Sequence, residues 1–219
     1  MKPLHERART TPGPPLWLGL SALAAVWLGP LPALARTHFS AHMSMHMGVV
    51  AVAAPLIGVA LARGPVDPVR RLPRIFSAIP ASLLELVVVW TWHAPALHAA
   101  ARTSAAALAA EQGMFLMSAL LVWTSAFGRD PGSPGRRAGL GIVALLLTSM
   151  HMTLLGALIA LSPRALFTHP GPLALAALED QHLGGAIMLL VGGIVYLVGG
   201  LWLSALVLGR PRAADVNVR

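Results

Sequence analysis

His38, His42 and His46 recur at four-residue steps, and Met43, Met45 and Met47 interleave with them. On a helix a four-residue step turns about 40° past a full turn, so the three imidazoles form one stripe about 12 Å long. Two His at i and i+4 can hold one metal ion. Thioether selects Cu(I) among biological metals, and imidazole accepts copper in either state. The bland counterpart is an interfacial His cluster wetted by lipid headgroups. The density of soft and borderline donors favours metal.

Three further clusters carry the same residue types. Trp90-Thr91-Trp92-His93-Ala94-Pro95 either aims His93 inward or forms part of an interfacial aromatic belt. Met150-His151-Met152 offers a soft-metal ligand or a helix–helix hydrogen bond. Leu178-Glu179-Asp180-Gln181-His182 opens an apolar run with four polar residues. Capping explains one of them, because acids favour a helix start, and leaves the other three unexplained. A site is therefore expected there. Glu111 stands near the start of another apolar run. Glu85 lies mid-run, where a neutral carboxyl hydrogen-bonded to a neighbouring helix is the favoured reading. The chain has no cysteine. That excludes disulfides, zinc–thiolate sites, iron–sulfur clusters and thiol-based copper transfer.

The elements that must position these residues follow from composition. Of 219 residues, 56% are hydrophobic and 11% charged, and the mean hydropathy is +0.71. A soluble domain carries about 25% charged residues, and disorder needs low hydrophobicity. An integral membrane protein remains. Crossing a ~30 Å hydrocarbon core takes about 20 helical residues. Six apolar runs qualify, at 16–35, 39–62, 75–97, 105–127, 138–161 and 178–208. The sequence thus predicts an all-α polytopic membrane bundle of about six transmembrane helices. It forms one domain over 16–208, with short basic tails at 1–15 and 209–219. Gly184, Gly192 and Gly199 form a small-residue stripe that reads as a packing face.

The net charge of +8 sorts by side. Lys2, Arg7, Arg9, Arg63, Arg70, Arg71, Arg74, Arg129, Arg136, Arg137, Arg210, Arg212 and Arg219 fall on one face of a six-span chain. Only Arg36, Arg102 and Arg164 fall on the other. The positive-inside rule makes the first face, and both termini, cytoplasmic. Eight of the nine His then gather on the outer side, His5 excepted. No basic, aromatic-interleaved stripe points to nucleic acid. The first run admits a second reading. A basic start, an apolar stretch and Ala33-Leu34-Ala35 before Arg36 fit a cleaved signal peptide, which would leave five spans.

Taken in order, these motifs resemble the membrane-integral cytochrome c oxidase assembly family called CtaG. The His-Met steps His42-Met43-Ser44-Met45-His46-Met47 precede Ala54-Pro55-Leu56. Then come Trp92-His93-Ala94-Pro95-Ala96-Leu97, Glu111-Gln112 with an apolar run to Trp123, and Leu155-Gly156-Ala157-Leu158. Asp180-Gln181-His182-Leu183-Gly184-Gly185 is last. The likeness runs from His38 to Leu208. Gln112 stands where the family pattern has His, His98 stands where an aromatic is expected, and His182 adds an imidazole. The resemblance implies a bacterial inner-membrane protein that helps build haem–copper oxidases by delivering copper to the catalytic subunit or its assembly complex. It implies no catalytic turnover.

The residues themselves are consistent with that role. An outer-leaflet pool of His42, His46, His93 and His151 would hold copper, with His38 and His182 as further candidates. Glu111 and Asp180 would orient imidazoles. Two alternatives use the same cluster. A zinc or iron enzyme would activate water, although neither HExxH nor a nucleophile motif is present. A b-type haem would take His46 with His93 or His151 as axial ligands. The chain is compatible with a lipid-embedded monomer or a homodimer.

Overall fold

The structure is a computed structural model that describes residues 13–64, 67–128, 134–167 and 176–209. The expectations placed on the terminal tails, His5, Arg129 and His169 lie outside the described residues.

Helices fill all six apolar runs. α1 is Pro14–Leu28, followed by the single turn α2, Leu31–Leu34. α3 is Phe39–Arg63. A short turn, α4, covers Pro68–Arg71. α5 is Ala78–Trp92 and α6 is Pro95–Thr103. The remaining long helices are α7, Ala105–Phe127, α8, Pro134–Ala160, and α9, Ala177–Leu208. Among the described residues no strand occurs. α3, α7, α8 and α9 are long and apolar enough to cross a bilayer, whereas α1 and α5 have 15 residues each.

Two spans are thus shorter than the sequence suggests, and backbone chemistry explains both. The first run was expected to continue to Ala35. It stops at Leu28, because Gly29-Pro30 interrupts the hydrogen-bond ladder. The third was expected to reach Leu97. It ends at Trp92, because Pro95 has no N–H for the carbonyl of Thr91 and its ring would strike that carbonyl. Pro95 instead opens α6, at the first turn where a missing N–H costs nothing.

α3 contains a Pro as well, yet does not break. Its middle, Gly48–Ala53, winds as a π-helix, and the Ala54 N–H reaches back five residues to the Val49 carbonyl. This wider turn absorbs the hydrogen bond that Pro55 cannot make. Such turns are rare and concentrate at functional sites. Here it follows directly on the His42–His46 stripe.

Five helices close a ring in the order α3, α7, α5, α8, α9 and back to α3. α1 lies outside, packed on α3. Phe39, Met43, Met47, Phe115, Trp123, Met152 and Tyr196 fill the interior. The α8–α9 seam is the closest. A Cβ at Gly185 would collide with the backbone of Ala160, and one at Gly156 would lie 2.8 Å from the Leu189 nitrogen. Gly184 faces the Phe39 ring, Gly192 lies near Met152 and Met47, and Gly199 faces Trp123. The glycine stripe therefore packs against large side chains of α3, α7 and α8. Leu146, Leu154, Leu158, Leu190, Ile194 and Leu197 point outward, as bilayer contact requires.

Gly185→Val must push α8 from α9. It is expected to lower stability by about 1–3 kcal/mol, read as a lower Tm of the detergent-purified protein. Gly200→Ala meets nothing within 4 Å and should leave the Tm unchanged. Equal melting of both variants would show that the seam is not close-packed.

Candidate metal centre

The depth of the α3 histidines is set from α9. The Asp180 carboxylate accepts from the backbone N–H groups of Phe39, at 2.6 Å, and Ser40, at 3.2 Å, and from the Ser40 hydroxyl. The first amides of a helix have no intrahelical partner, and buried amides left bare are costly. Asp180 satisfies them across the bundle. His42 then comes one turn into α3, and His46 two.

His42 is 1% exposed and faces α7. Its Nε2 lies 3.1 Å from Glu111 Oε2 and 3.2 Å from Oε1. A carboxylate accepts, so Nε2 carries the proton and Nδ1 is left with its lone pair. Glu111 Oε2 also accepts from Gln112 Nε2 at 3.2 Å, and Gln112 Oε1 accepts from the Trp27 indole N–H at 3.4 Å. A polar relay thus runs from α1 through α7 to α3.

His93, at the C-terminal end of α5, is oriented differently. Its Nδ1 donates to the Val89 carbonyl at 2.7 Å, which leaves the Nε2 lone pair bare. The His46 ring centroid is 5.1 Å from that of His93 and 4.1 Å from that of Phe115. His98, from α6, places its ring centroid 4.5 Å from that of His42. One ligand atom each from His42, His98 and Glu111 lies within 4.8 Å of the others. Ligand atoms around one ion sit about 2 Å from it, so His42 and His98 are close enough to share one with Glu111 behind the His42 ring.

The donor set fits a metal ion. His42 Nδ1, both nitrogens of His46 and His93 Nε2 are buried without a hydrogen-bond partner. Buried polar groups are normally satisfied, and an unmet one costs about 1–3 kcal/mol. Several such nitrogens on rings packed against one another, as His46 is against His93, are a donor set that suits a cation. The second nitrogens of His42 and His93 are already tied to a carboxylate and a carbonyl. This is the outer arrangement that fixes tautomer and ring orientation in metal sites.

The other sequence candidates lie elsewhere. Asp180 holds the start of α3, and among the described residues no imidazole partners its carboxylate. Gln181 accepts from the Leu166 and Phe167 amides and donates to the Ile159 and Arg164 carbonyls, at 3.3 and 3.1 Å, pinning the α8–α9 connection. His182 Nε2 donates to the Ser162 carbonyl at 2.9 Å. The polar run at the start of α9 therefore secures two neighbouring segments. His38 is half-buried and pairs with the Thr37 hydroxyl at 2.9 Å. His151 is buried with both nitrogens unmatched and, like His46 and His93, lies outside the His42–His98–Glu111 group; His46 and His93 are set apart from it by their mutual ring contact at 5.1 Å. Glu85, fully buried, accepts from the Tyr196 hydroxyl at 3.1 Å, in line with the helix–helix bond expected for it.

His98 is the residue that sequence reasoning had left out of the ligand pool. A chain corner separates it from His93, so no helical period links them. A cleft of about 250 Å³ opens beside the cluster, lined by Trp27, Pro32, Met45, Leu108, Ala109 and Gln112 among others. Gln112, expected as a substituted ligand, is both a wall of this cleft and a partner of Glu111.

Six apolar helices with a buried imidazole–carboxylate cluster between α3, α5, α6 and α7 define an integral membrane protein with an interior candidate metal centre. The chain belongs to the cytochrome c oxidase caa3 assembly factor family (Caa3_CtaG), whose profile matches residues 15–209. That match covers α1 to α9. No curated protein and no solved structure matches the chain.

Asp180→Ala strips the cross-bundle cap. Stability should fall by about 0.5–2 kcal/mol in a thermal melt. An unchanged Tm would show that the Asp180 bonds do not hold the start of α3.

Proposed function

We propose that this oxidase assembly factor binds copper as cargo at the cluster of His42, His46, His93, His98 and Glu111 and passes it to the catalytic subunit of the oxidase. The observation that carries this reading is the set of buried imidazole nitrogens without partners, oriented from behind by Glu111 and Val89. Imidazole binds copper in both oxidation states. Without cysteine, the ion is held by exchangeable ligands, and an acceptor can take it by replacing one imidazole at a time. Glu111 holds the His42 ring throughout, with its proton on Nε2. The chain's own part is to bind, orient and exclude water.

Sidedness supports the same reading. The arginines mark one end of the bundle and the cluster lies toward the other. In a bacterial cytoplasmic membrane the cluster end would face outward, where copper arrives. A haem between His46 and His93 is disfavoured. Axial imidazoles must straddle a porphyrin plane, and these rings are 5.1 Å apart with Phe115 against them.

Anaerobic copper titration of the purified protein should give saturable binding. His46→Ala/His93→Ala should abolish it, and Glu111→Gln should weaken it about 10–100-fold, the usual cost of losing a residue that orients a ligand. Cells carrying the double variant should accumulate oxidase that lacks copper but retains haem. Full copper retention by the double variant would overturn the assignment. The orientation has a separate test, since the chain has no native thiol. A membrane-impermeant maleimide applied to intact spheroplasts should label Arg102→Cys and spare Arg70→Cys. The reverse pattern would invert the topology.

A further inference from the structure

At the arginine end of the bundle, α5 and α8 begin next to the last turn of α7. Between them lies a pocket of about 180 Å³, lined by Phe76, Ser77, Ser125, Arg136, Arg137 and Leu140 among others. Its polar groups have no evident partner in the metal chemistry, which lies toward the opposite ends of these helices.

Four observations converge on it. Ser125 is fully buried, and its hydroxyl has no hydrogen-bond partner. Ser77 is the N-cap residue of α5, yet its side chain makes no capping bond. Neither α5 nor α8 has an acid in its first turn. Arg136 and Arg137 occupy the first turn of α8, where the helix dipole disfavours cations. Arg137 is fixed there, because its Nη2 donates to the Phe76 carbonyl at 2.6 Å.

Topology alone does not account for this. Exposed arginines such as Arg70, Arg71 and Arg74 set orientation without any pocket. A guanidinium bonded to backbone beside a buried, unmatched hydroxyl is a more ordered arrangement. The C-terminal turn of α7 brings a negative dipole end near the pocket. The Arg136 guanidinium and the positive end of α5 oppose it.

We propose that this pocket binds a phosphate group. Arg136 supplies a charge-assisted contact, the Ser125 and Ser77 hydroxyls donate to the phosphate oxygens, and the amino end of α5 faces the same anion. Arg137 positions the entrance of α5. A phospholipid headgroup and free phosphate share this chemistry. Exposed Leu72, Ile75 and Leu140 lie in the same chain segments as the lining residues and offer an apolar surface to acyl chains.

The full-length protein, delipidated in detergent, is titrated in one arm with inorganic phosphate by calorimetry. In the other arm it is mixed with phosphatidylglycerol, and bound lipid is counted by native mass spectrometry. Saturable binding is expected in at least one arm, and which arm responds identifies the source. Ser125→Ala and Arg136→Gln should each weaken it about tenfold, as expected for loss of a hydrogen bond to a charged group. Ser125→Ala removes a bare buried hydroxyl and should melt no earlier than wild type. Copper retention at the distant cluster should be unchanged in both variants. Absence of saturable binding in both arms, or wild-type affinity in both variants, would overturn the proposal.

Discussion

The site depends on one carboxylate. Asp180 meets the amides that start α3 and the Ser40 side chain, more than a hundred residues earlier in the chain. Packed between α3 and α9, those donors would otherwise go unmet, and a buried group left unmet costs about 1–3 kcal/mol. α3 therefore cannot slide along α9 without exposing them. A shift of one residue would turn His42 and His46 by about 100°, away from Glu111 and His93. The register of the candidate ligands is held by a group that touches none of them.

Around that anchor the bundle divides labour by helix face. The α9 face that carries Gly184, Gly192 and Gly199 admits Phe39, Met47 and Trp123. This lets five helices close tightly without polar glue in most of the interior. Several buried polar groups are tied to one another: Glu85 with Tyr196, Ser82 with Thr148, and Glu111 with His42 and Gln112. Against those pairs, both nitrogens of His46 and the Nε2 of His93 are left without a partner, as are both nitrogens of His151 and the Ser125 hydroxyl.

Much of this was legible in the sequence. The apolar runs located all six helices, and a shared depth brought His42, His46, His93, His151 and Glu111 into one reading, of which His151 lies apart from the His42–His98–Glu111 group. What escaped it was non-local. Asp180 and His182 looked like site residues because four polar groups at a helix start exceed what local capping needs. Their partners lie on α3 and after α8, and such cross-bundle bonds have no local signature. His98 was read as a departure from a family pattern. The corner at Ala94-Pro95 resets the helical phase, so periodicity could not place it beside His42. The π-turn after Met47 was hidden likewise, because its cause, Pro55, lies beyond it in the chain.

Glu111 is the single carboxylate among the described residues that meets this group of imidazoles. One anion can neutralise one positive charge. A monovalent ion would leave the interior electrically balanced, whereas a divalent ion would leave a net charge in a low-dielectric medium. That uncompensated charge would cost several kcal/mol even after relaxation. Under the proposed function, a preference between ion valences would follow from this count of charges, independent of ligand softness or coordination geometry.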